Sequence, residues 1–221
     1  MNYGAAVDAL AAALARPLPG AAAHRLTEPR PRRTWPSGFD PAEARTAAGL
    51  LLLFPVAMRA HVLLTLRADT LGHHGGQVSL PGGVVEPGET LEGAALREAH
   101  EEVGLQPAAV RILGALTPID IPVSGFRLHP IVAAVDERPR LVRADAEVAQ
   151  ILEVSVDDLL QPASLTERER IRDGRSLVAP AFSVAGHEVW GATSMVLAEF
   201  LSLLGWSKFQ RMSEERAGSE F

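Results

Sequence analysis

Residues 82–105 read GGVVEPGETLEGAALREAHEEVGL, and the interpretation of the whole chain depends on this stretch. If it is helical, Glu98, Glu101 and Glu102 have the spacing i, i+3, i+4 and project from one face. Like charges at this spacing repel each other by roughly 0.2–0.5 kcal/mol on an exposed helix. The acidic face therefore needs either solvent or a cation to neutralise it.

The ends of this helix follow from local signals. Thr90 is a suitable N-cap, and Gly104 occupies the position after the last helical residue where glycine is common. Leu96, Ala99 and Val103 have the spacing of an apolar stripe beside the acidic face. The stretch predicts a glycine-containing loop, then a helix that ends at Val103.

Composition restricts the class of protein. The chain has 221 residues, is 47% hydrophobic and 22% charged, and suits one domain with appendages or at most two small domains. It has no cysteine, which excludes disulfides and thiolate metal sites and leaves carboxylate, histidine or water as metal ligands. The net charge of −6 gives no overall reason to expect nucleic acid. Without an apolar run long enough for a membrane span or a secretory signal, we expect a cytoplasmic protein with no membrane partner.

The remaining pattern predicts an α/β chain with short strands. Helices are expected at residues 5–15, 156–160 and 194–204, the last capped by Thr193 or Ser194. Strands are expected at residues 47–54, 61–67, 77–80, 110–117, 126–135, 149–154, 176–183 and 187–190.

We divide the chain into an N-terminal helix with a Pro/Arg-rich arm (1–40), a main domain (41–206) and a polar tail (207–221). The arm has two interpretations, because Arg30, Arg32 and Arg33 form either a phosphate-binding patch or a solvated charged linker. The sequence leaves open whether the chain is a monomer or a homodimer. If it is a homodimer, an exposed apolar helix at 5–15 is an obvious place to pair.

The central stretch resembles the Nudix box, G-x5-E-x7-R-E-U-x-E-E-x-G-U. Each fixed position matches, and the only unusual residue is the small Ala99, in the run Gly83-x5-Glu89-x7-Arg97-Glu98-Ala99-His100-Glu101-Glu102-Val103-Gly104-Leu105. The resemblance implies an α/β/α sandwich with a mixed β-sheet. It also implies hydrolysis of a diphosphate that is linked to another chemical group.

The resemblance also implies a metal site. A pyrophosphate is repelled by an acidic site unless divalent metal is present, and oxygen ligands suit Mg²⁺ or Mn²⁺. By resemblance, Glu98 and Glu102 are the principal ligands, Glu101 shares a second ion, and a backbone carbonyl around Gly82 or Gly83 completes a site. The alternative for the acids taken alone is an ordinary solvated helix face.

Two further residues of the machinery are expected. Arg97 is placed to orient carboxylates, Glu89 included, rather than to touch substrate. The general base of such an enzyme is either a glutamate of the box or an acid on a distant loop, for which Asp145 and Glu147 are the candidates. We predict Glu147 as base or extra metal ligand, against the alternative of a surface or structural acid.

The flanking sequence resembles the coenzyme A pyrophosphatases within the Nudix group. Leu63-Leu64-Thr65-Leu66-Arg67 and Gly76-Gln77-Val78-Ser79-Leu80-Pro81-Gly82-Gly83 match the upstream signature, and Trp190-Gly191-Ala192-Thr193 matches a W-G-x-T motif. Ala68, Gly72 and Leu80 depart from the pattern, and Gly72 stands where an arginine is common. The resemblance implies cleavage of coenzyme A (CoA) or acyl-CoA into 3′,5′-ADP and (acyl-)4′-phosphopantetheine.

Substrate contacts and other activities follow from the same resemblance. Arg67, His73 and His74 are candidate phosphate contacts or ordinary surface residues, and Gln77 either binds substrate or has a structural role at a strand edge. A second hypothesis is hydrolysis of ADP-ribose, nucleotide sugars or other nucleoside diphosphate derivatives. A third is an inactive Nudix domain that only binds its ligand.

Overall fold

The computed structural model describes residues 1–68, 76–144, 147–172 and 175–206. His73 and His74, which we predict as phosphate contacts, lie outside the described residues, as does Gly72. The same is true of Asp145 and of the tail at 207–221.

The described residues form helices and strands in the following order within each type. The helices are α1 (Tyr3–Leu14), α2 (Ala21–His24), α3 (Leu91–Val103), α4 (Val156–Leu160) and α5 (Ala192–Leu203). The strands are β1 (Arg45–Val56), β2 (Arg59–Arg67), β3 (Val78–Ser79), β4 (Gly82–Val84), β5 (Arg111–Ala115), β6 (Ile119–Ile121), β7 (Phe126–Ala134), β8 (Val148–Ser155), β9 (Leu165–Arg172), β10 (Arg175–Val184) and β11 (His187–Val189).

Within the described residues, strands β1 to β8 form one mixed sheet. Strand β1 is central, since it runs parallel to β7 and antiparallel to β2 and β4. Strands β3 and β8 join β2, while β5 and β6 join β7. A second sheet consists of three antiparallel strands in the order β11, β10, β9.

The large sheet is covered by helices on both faces because β1 is apolar and buried from Ala48 to Phe54. Its side chains alternate, so that Leu50, Leu52 and Phe54 pack with the alanines of α3, while Leu51 and Leu53 pack with α1 and α5. Burying each such side chain contributes about 1.5–3 kcal/mol. The α/β/α sandwich with a mixed sheet is thereby confirmed.

The predicted ends of α3 are also confirmed. The Thr90 Oγ1 accepts a hydrogen bond from the Gly93 N–H at 3.0 Å, and Gly104 follows the helix with a φ of 68°. The predicted apolar stripe is confirmed, since Ala99 and Val103 are fully buried and Leu96 packs against the same core. Leu96 is only half-buried, whereas Ala94 and Ala95 are fully buried against the sheet.

Near the C-terminal end of the domain, the predicted helix cap was wrong and one strand was not predicted. Helix α5 begins at Ala192 with Gly191 as its N-cap, so neither predicted residue caps it, and the Ser194 hydroxyl donates within the first turn to the Gly191 carbonyl. Strand β9 was not predicted, because its side chains are mostly charged. It is held by backbone pairing with β10 along its whole length instead of by an apolar face.

Helix α1 is not an exposed apolar arm. Its residues Tyr3, Ala6, Val7 and Leu10 are buried in the same core as α5. The chain's own core therefore covers this face, so α1 does not offer the exposed apolar surface that was expected for pairing. The homodimer stays a prediction. In the part of the chain that the structure describes, no helix has the length and apolar character needed to cross a bilayer.

Candidate active site

A cleft of about 1060 Å³ opens where β3, β4 and the C-terminal half of α3 meet. This volume is in the range of sites that bind small molecules and cofactors. Predicted site residues that line it are Arg67, Gln77, Gly83, Glu98, Glu102 and Glu147. The cleft therefore gathers residues from four separate stretches of sequence.

Arg97 ties the acidic helix to the loop before it. Its Nε donates to Glu89 Oε1 at 3.0 Å, and its Nη2 donates to the Val84 carbonyl at 3.0 Å. Its Nη1 donates to Glu98 Oε1 at 2.8 Å and to Glu101 Oε2 at 3.4 Å. The guanidinium lowers the pKa of the Glu89 carboxyl below its usual value. These are the contacts predicted for Arg97, which lies outside the cleft lining.

Glu102 is a buried acid in an electrostatically unfavourable place. Only 4% of it is exposed, and burial raises the pKa of its carboxyl to about 7. Arg67 and a hydrogen bond from the Gly82 N–H act in the opposite direction, whereas the charges of Glu98 and Glu147 raise the pKa further. The charges of Glu98 and Glu147 thus add to burial in disfavouring the ionised form of Glu102.

The two glycines of β4 allow close packing on two sides, Gly82 against strand β1 and Gly83 against Glu98 of α3. A Cβ on Gly82 would lie 2.3 Å from the Ala48 carbonyl oxygen of β1, and a Cβ on Gly83 would lie 2.4 Å from the Glu98 carboxylate. Any side chain at Gly83 would therefore displace the Glu98 carboxylate. This explains why glycine is required at the first position of the motif.

The remaining predicted residues are not equivalent. Glu101 is 57% exposed and does not line the cleft, although Arg97 Nη1 contacts both it and Glu98. Glu147 is exposed and does line the cleft, beside Arg67, because the Ala68 N–H donates to the Glu147 carbonyl at 2.9 Å. Gln77 also lies on the cleft wall next to β3. The catalytic and ligand roles of these residues stay predictions.

Comparison with known proteins gives the same assignment as the motif. The NUDIX domain family matches residues 44–173, which is more than half of the chain. A protein of Citrobacter koseri named as an uncharacterized Nudix hydrolase, NudL, is 34% identical over 157 residues, which cover 70% of this chain and 81% of the relative. The chain belongs to the Nudix family. NudL of Salmonella newport is 35% identical over the same length and coverage.

A solved structure agrees at the level of the fold. The crystal structure of a Nudix hydrolase from M. smegmatis, RenU, superposes with a TM-score of 0.50 over 79% of this chain and 87% of that one, at 24% identity. Since the identity is low, this likeness supports the Nudix fold alone. Membership of the family supports a hydrolase activity, and the substrate has to be argued from the cleft.

The acids of this Nudix domain fit a hydrated divalent ion better than a closed metal cage. Among the described residues, no three carboxylate or imidazole groups are close enough together to form a ready-made metal site. Mg²⁺ usually takes one or two protein carboxylates and completes its coordination with water and substrate phosphates. Glu98 and Glu102 supply two such carboxylates on one cleft wall, and a cation there would relieve their mutual repulsion.

Sequence reasoning left the arginines of the N-terminal arm open between a phosphate-binding patch and a solvated linker, and it missed Trp35 on the wall of the Nudix cleft. Trp35 and the neighbouring arginines of the N-terminal arm line it, although the arm precedes the family match. The signal available was a tryptophan among charged residues and prolines, an unusual place for a large aromatic side chain in a solvated linker.

Proposed function

We propose that the protein hydrolyses the diphosphate of coenzyme A or its acyl derivatives, giving 3′,5′-ADP and (acyl-)4′-phosphopantetheine. One observation carries the proposal: the three stretches that resemble CoA pyrophosphatases line a single cleft. They are the upstream segment with Arg67 and Gln77, the box with Glu98 and Glu102, and the segment that begins at Trp190. The upstream segment runs directly into the box, whereas the segment at Trp190 lies far along the chain, so its convergence with the other two supports a common role.

The character of the cleft supports a substrate with both a diphosphate and an apolar part. The acids supply one polar wall. Other walls are apolar and contain Ile119, Ile121, Phe126, Leu128 and Met195. A diphosphate with its cation suits the acids, while a pantetheine arm or acyl chain suits the apolar walls because burial of apolar surface is favourable.

The residues of the chain have distinct tasks in this proposal. Glu98 and Glu102 would hold Mg²⁺ or Mn²⁺, which when bound shields the diphosphate charge and lowers the pKa of a water molecule. Arg97 fixes the Glu98 carboxylate, and the Gly82 N–H fixes that of Glu102. Glu147, exposed on the same cleft, accepts the proton of the attacking water.

The test is a substrate panel with mass detection of the products. Purified protein is incubated with CoA, acetyl-CoA and ADP-ribose, each with Mg²⁺, with Mn²⁺ or with a chelator. We expect metal-dependent release of 3′,5′-ADP from CoA. Consumption of ADP-ribose with intact CoA would overturn the substrate assignment in favour of another nucleoside diphosphate derivative. A folded protein that hydrolyses nothing would instead indicate a binding module.

The role of Glu147 has a separate test. The Glu147→Gln variant should lose about tenfold or more in kcat, because a positioned base contributes roughly 10²–10⁴-fold to such a step. Its affinity for Mn²⁺ is measured in parallel by calorimetry, so that loss of a base and loss of a ligand can be told apart. Full turnover with normal metal affinity would remove Glu147 from both roles.

A further inference from the structure

The N-terminal arm forms a wall of the cleft, a position that does not fit a solvated linker. The arm residues that line the cleft are Glu28, Pro29, Arg32, Arg33, Thr34 and Trp35. They come from outside the segment that matches the NUDIX domain family, which begins at residue 44. The arm is therefore an addition to the family domain that reaches its candidate active site.

Contacts with the domain hold the arm in this place. The Arg30 N–H donates to the Val178 carbonyl at 2.8 Å, and the Val178 N–H donates back to the Arg30 carbonyl at 2.9 Å. Upstream, the buried Glu199 carboxylate accepts hydrogen bonds from the Gly20 N–H and from His24 Nε2, both at 3.0 Å. Because the chain is held at these points, the residues after Arg30 start from a defined position on the second sheet.

The three arginines of the arm differ in what they can reach. Arg30 pairs with Glu167 at 2.8 Å and does not line the cleft. Arg32 pairs with Glu28 at 2.9 Å, but its side chain is 73% exposed, and an ion pair of this kind is weak enough to exchange for a ligand. Arg33 is half-buried on the cleft wall. Guanidinium groups bind phosphate through paired hydrogen bonds.

We infer that Arg32 and Arg33 bind a phosphate group of the substrate that is separate from the diphosphate to be cleaved. The inference rests on the proposed function, since CoA carries such a group at the 3′ position of its ribose. The acids that would receive the diphosphate, Glu98 and Glu102, are on α3. One ligand can therefore place its diphosphate against the helix and its second phosphate against the arm.

Trp35 supplies an aromatic surface for the adenine base of CoA. Its ring stacks on Phe39 with a centroid distance of 4.8 Å and an interplanar angle of 14°, so that the plane of the ring is held before any ligand arrives. Aromatic side chains in nucleotide sites commonly stack on the base. The adenine of CoA is joined to the ribose that carries the extra phosphate, so both contacts belong to one end of the ligand.

The inference is tested by binding of the two product-like nucleotides 3′,5′-ADP and AMP, measured by calorimetry with Mg²⁺ present. The two nucleotides differ by the 3′-phosphate that Arg32 and Arg33 are inferred to bind. Wild-type protein should prefer 3′,5′-ADP by about tenfold or more, and the Arg32→Gln/Arg33→Gln variant should lose this preference while keeping its affinity for AMP. Arg30→Gln, on the same arm but off the cleft, should behave as wild type. Trp35→Leu should weaken both nucleotides by a similar factor, because both contain the base.

Several results would overturn the inference. They are equal binding of the two nucleotides by the wild type, an unchanged preference in the double variant, and an equal loss in Arg30→Gln. Thermal melting of every variant establishes that it is folded.

Hydrolysis of CoA and of 3′-dephospho-CoA separates this inference from the proposed function. If CoA is cleaved but the double variant keeps the wild-type ratio of kcat/KM for the two substrates, the arm inference fails and the function stands. If CoA is not cleaved but the binding preference depends on Arg32 and Arg33, the function fails and the phosphate site stands.

Discussion

Two buried glutamates on opposite faces of the sheet show different behaviour. Glu102 of α3 is 4% exposed and Glu199 of α5 is 0% exposed, yet the pKa of the first is raised to about 7 and that of the second is lowered. Burial raises both pKa values. Around Glu199 the hydrogen bonds from His24 and Thr117 outweigh burial, whereas around Glu102 the Gly82 N–H and Arg67 do not.

The difference is the one expected between a structural acid, Glu199, and Glu102, which we propose as a functional acid. Besides Gly20 and His24, Thr117 donates to Glu199 twice, from its backbone N–H at 3.1 Å and from its hydroxyl at 2.7 Å. Glu199 thereby joins the N-terminal segment to the core. Glu102 instead shares its cleft with Glu98 and Glu147, whose charges disfavour its ionised form, and Arg67 and the Gly82 N–H offset this only in part. Burial alone would have ranked the two acids as equals.

The largest effect on activity is expected when Glu102, the buried acid of the cleft, is replaced by a neutral residue. Glu102→Gln should lose at least about two orders of magnitude in kcat/KM for the diphosphate substrate, on the scale of losing electrostatic stabilisation of the transition state. Its free energy of unfolding should stay the same or rise, because a buried carboxylate with a raised pKa is replaced by a neutral amide. Steady-state kinetics with Mg²⁺ and urea unfolding measure the two quantities. Near-normal activity in a folded variant would contradict the assignment.

The same change in Glu199 should affect stability instead of activity. Glu199→Gln should lower the free energy of unfolding by about 2 kcal/mol, because it replaces charge-assisted hydrogen bonds in a buried site and leaves a surplus of donors. For a domain of this size that corresponds to a melting temperature roughly 4–8 °C lower. Turnover by the folded fraction should equal that of the wild type. An unchanged free energy of unfolding would mean that these hydrogen bonds make no net contribution to stability.

The contrast between the two acids also explains what could be predicted from the sequence. Helix α3 and its acids were predictable because cap, stop and acids all lie within 24 consecutive residues. The surroundings of Glu199 were not, because its partners are 82, 175 and 179 positions away. A lone glutamate in the apolar run MVLAEFLSL was the only local signal. Trp35 was missed for the same reason, since its place on the cleft wall depends on contacts distant in sequence. Strand β9 was missed because its side chains are mostly charged, although its partner β10 is the next strand along the chain.

A matched pair of glycines sharpens the comparison. Gly83→Ala places a Cβ against the Glu98 carboxylate and should lower kcat by about tenfold, because small misplacements at a catalytic centre are costly. Gly20→Ala places a Cβ 3.1 Å from the Thr117 hydroxyl at a φ of 50°, and should cost about 1 kcal/mol of stability with activity unchanged. Kinetics and unfolding of both variants test this. An activity loss at Gly20, or none at Gly83, would break the distinction.

The smallest expected effect is the response of Glu199 to acid. Because the folded-state pKa of Glu199 lies below its unfolded value of about 4.3, the carboxylate contributes fully above that value. The contribution is lost as the pH falls through the lower folded-state pKa. The stability difference between wild type and Glu199→Gln should therefore shrink as the pH falls from about 5 to about 3. Urea unfolding of both proteins across this range measures it, and a difference that grows towards low pH would show that the sign assigned to this acid is wrong.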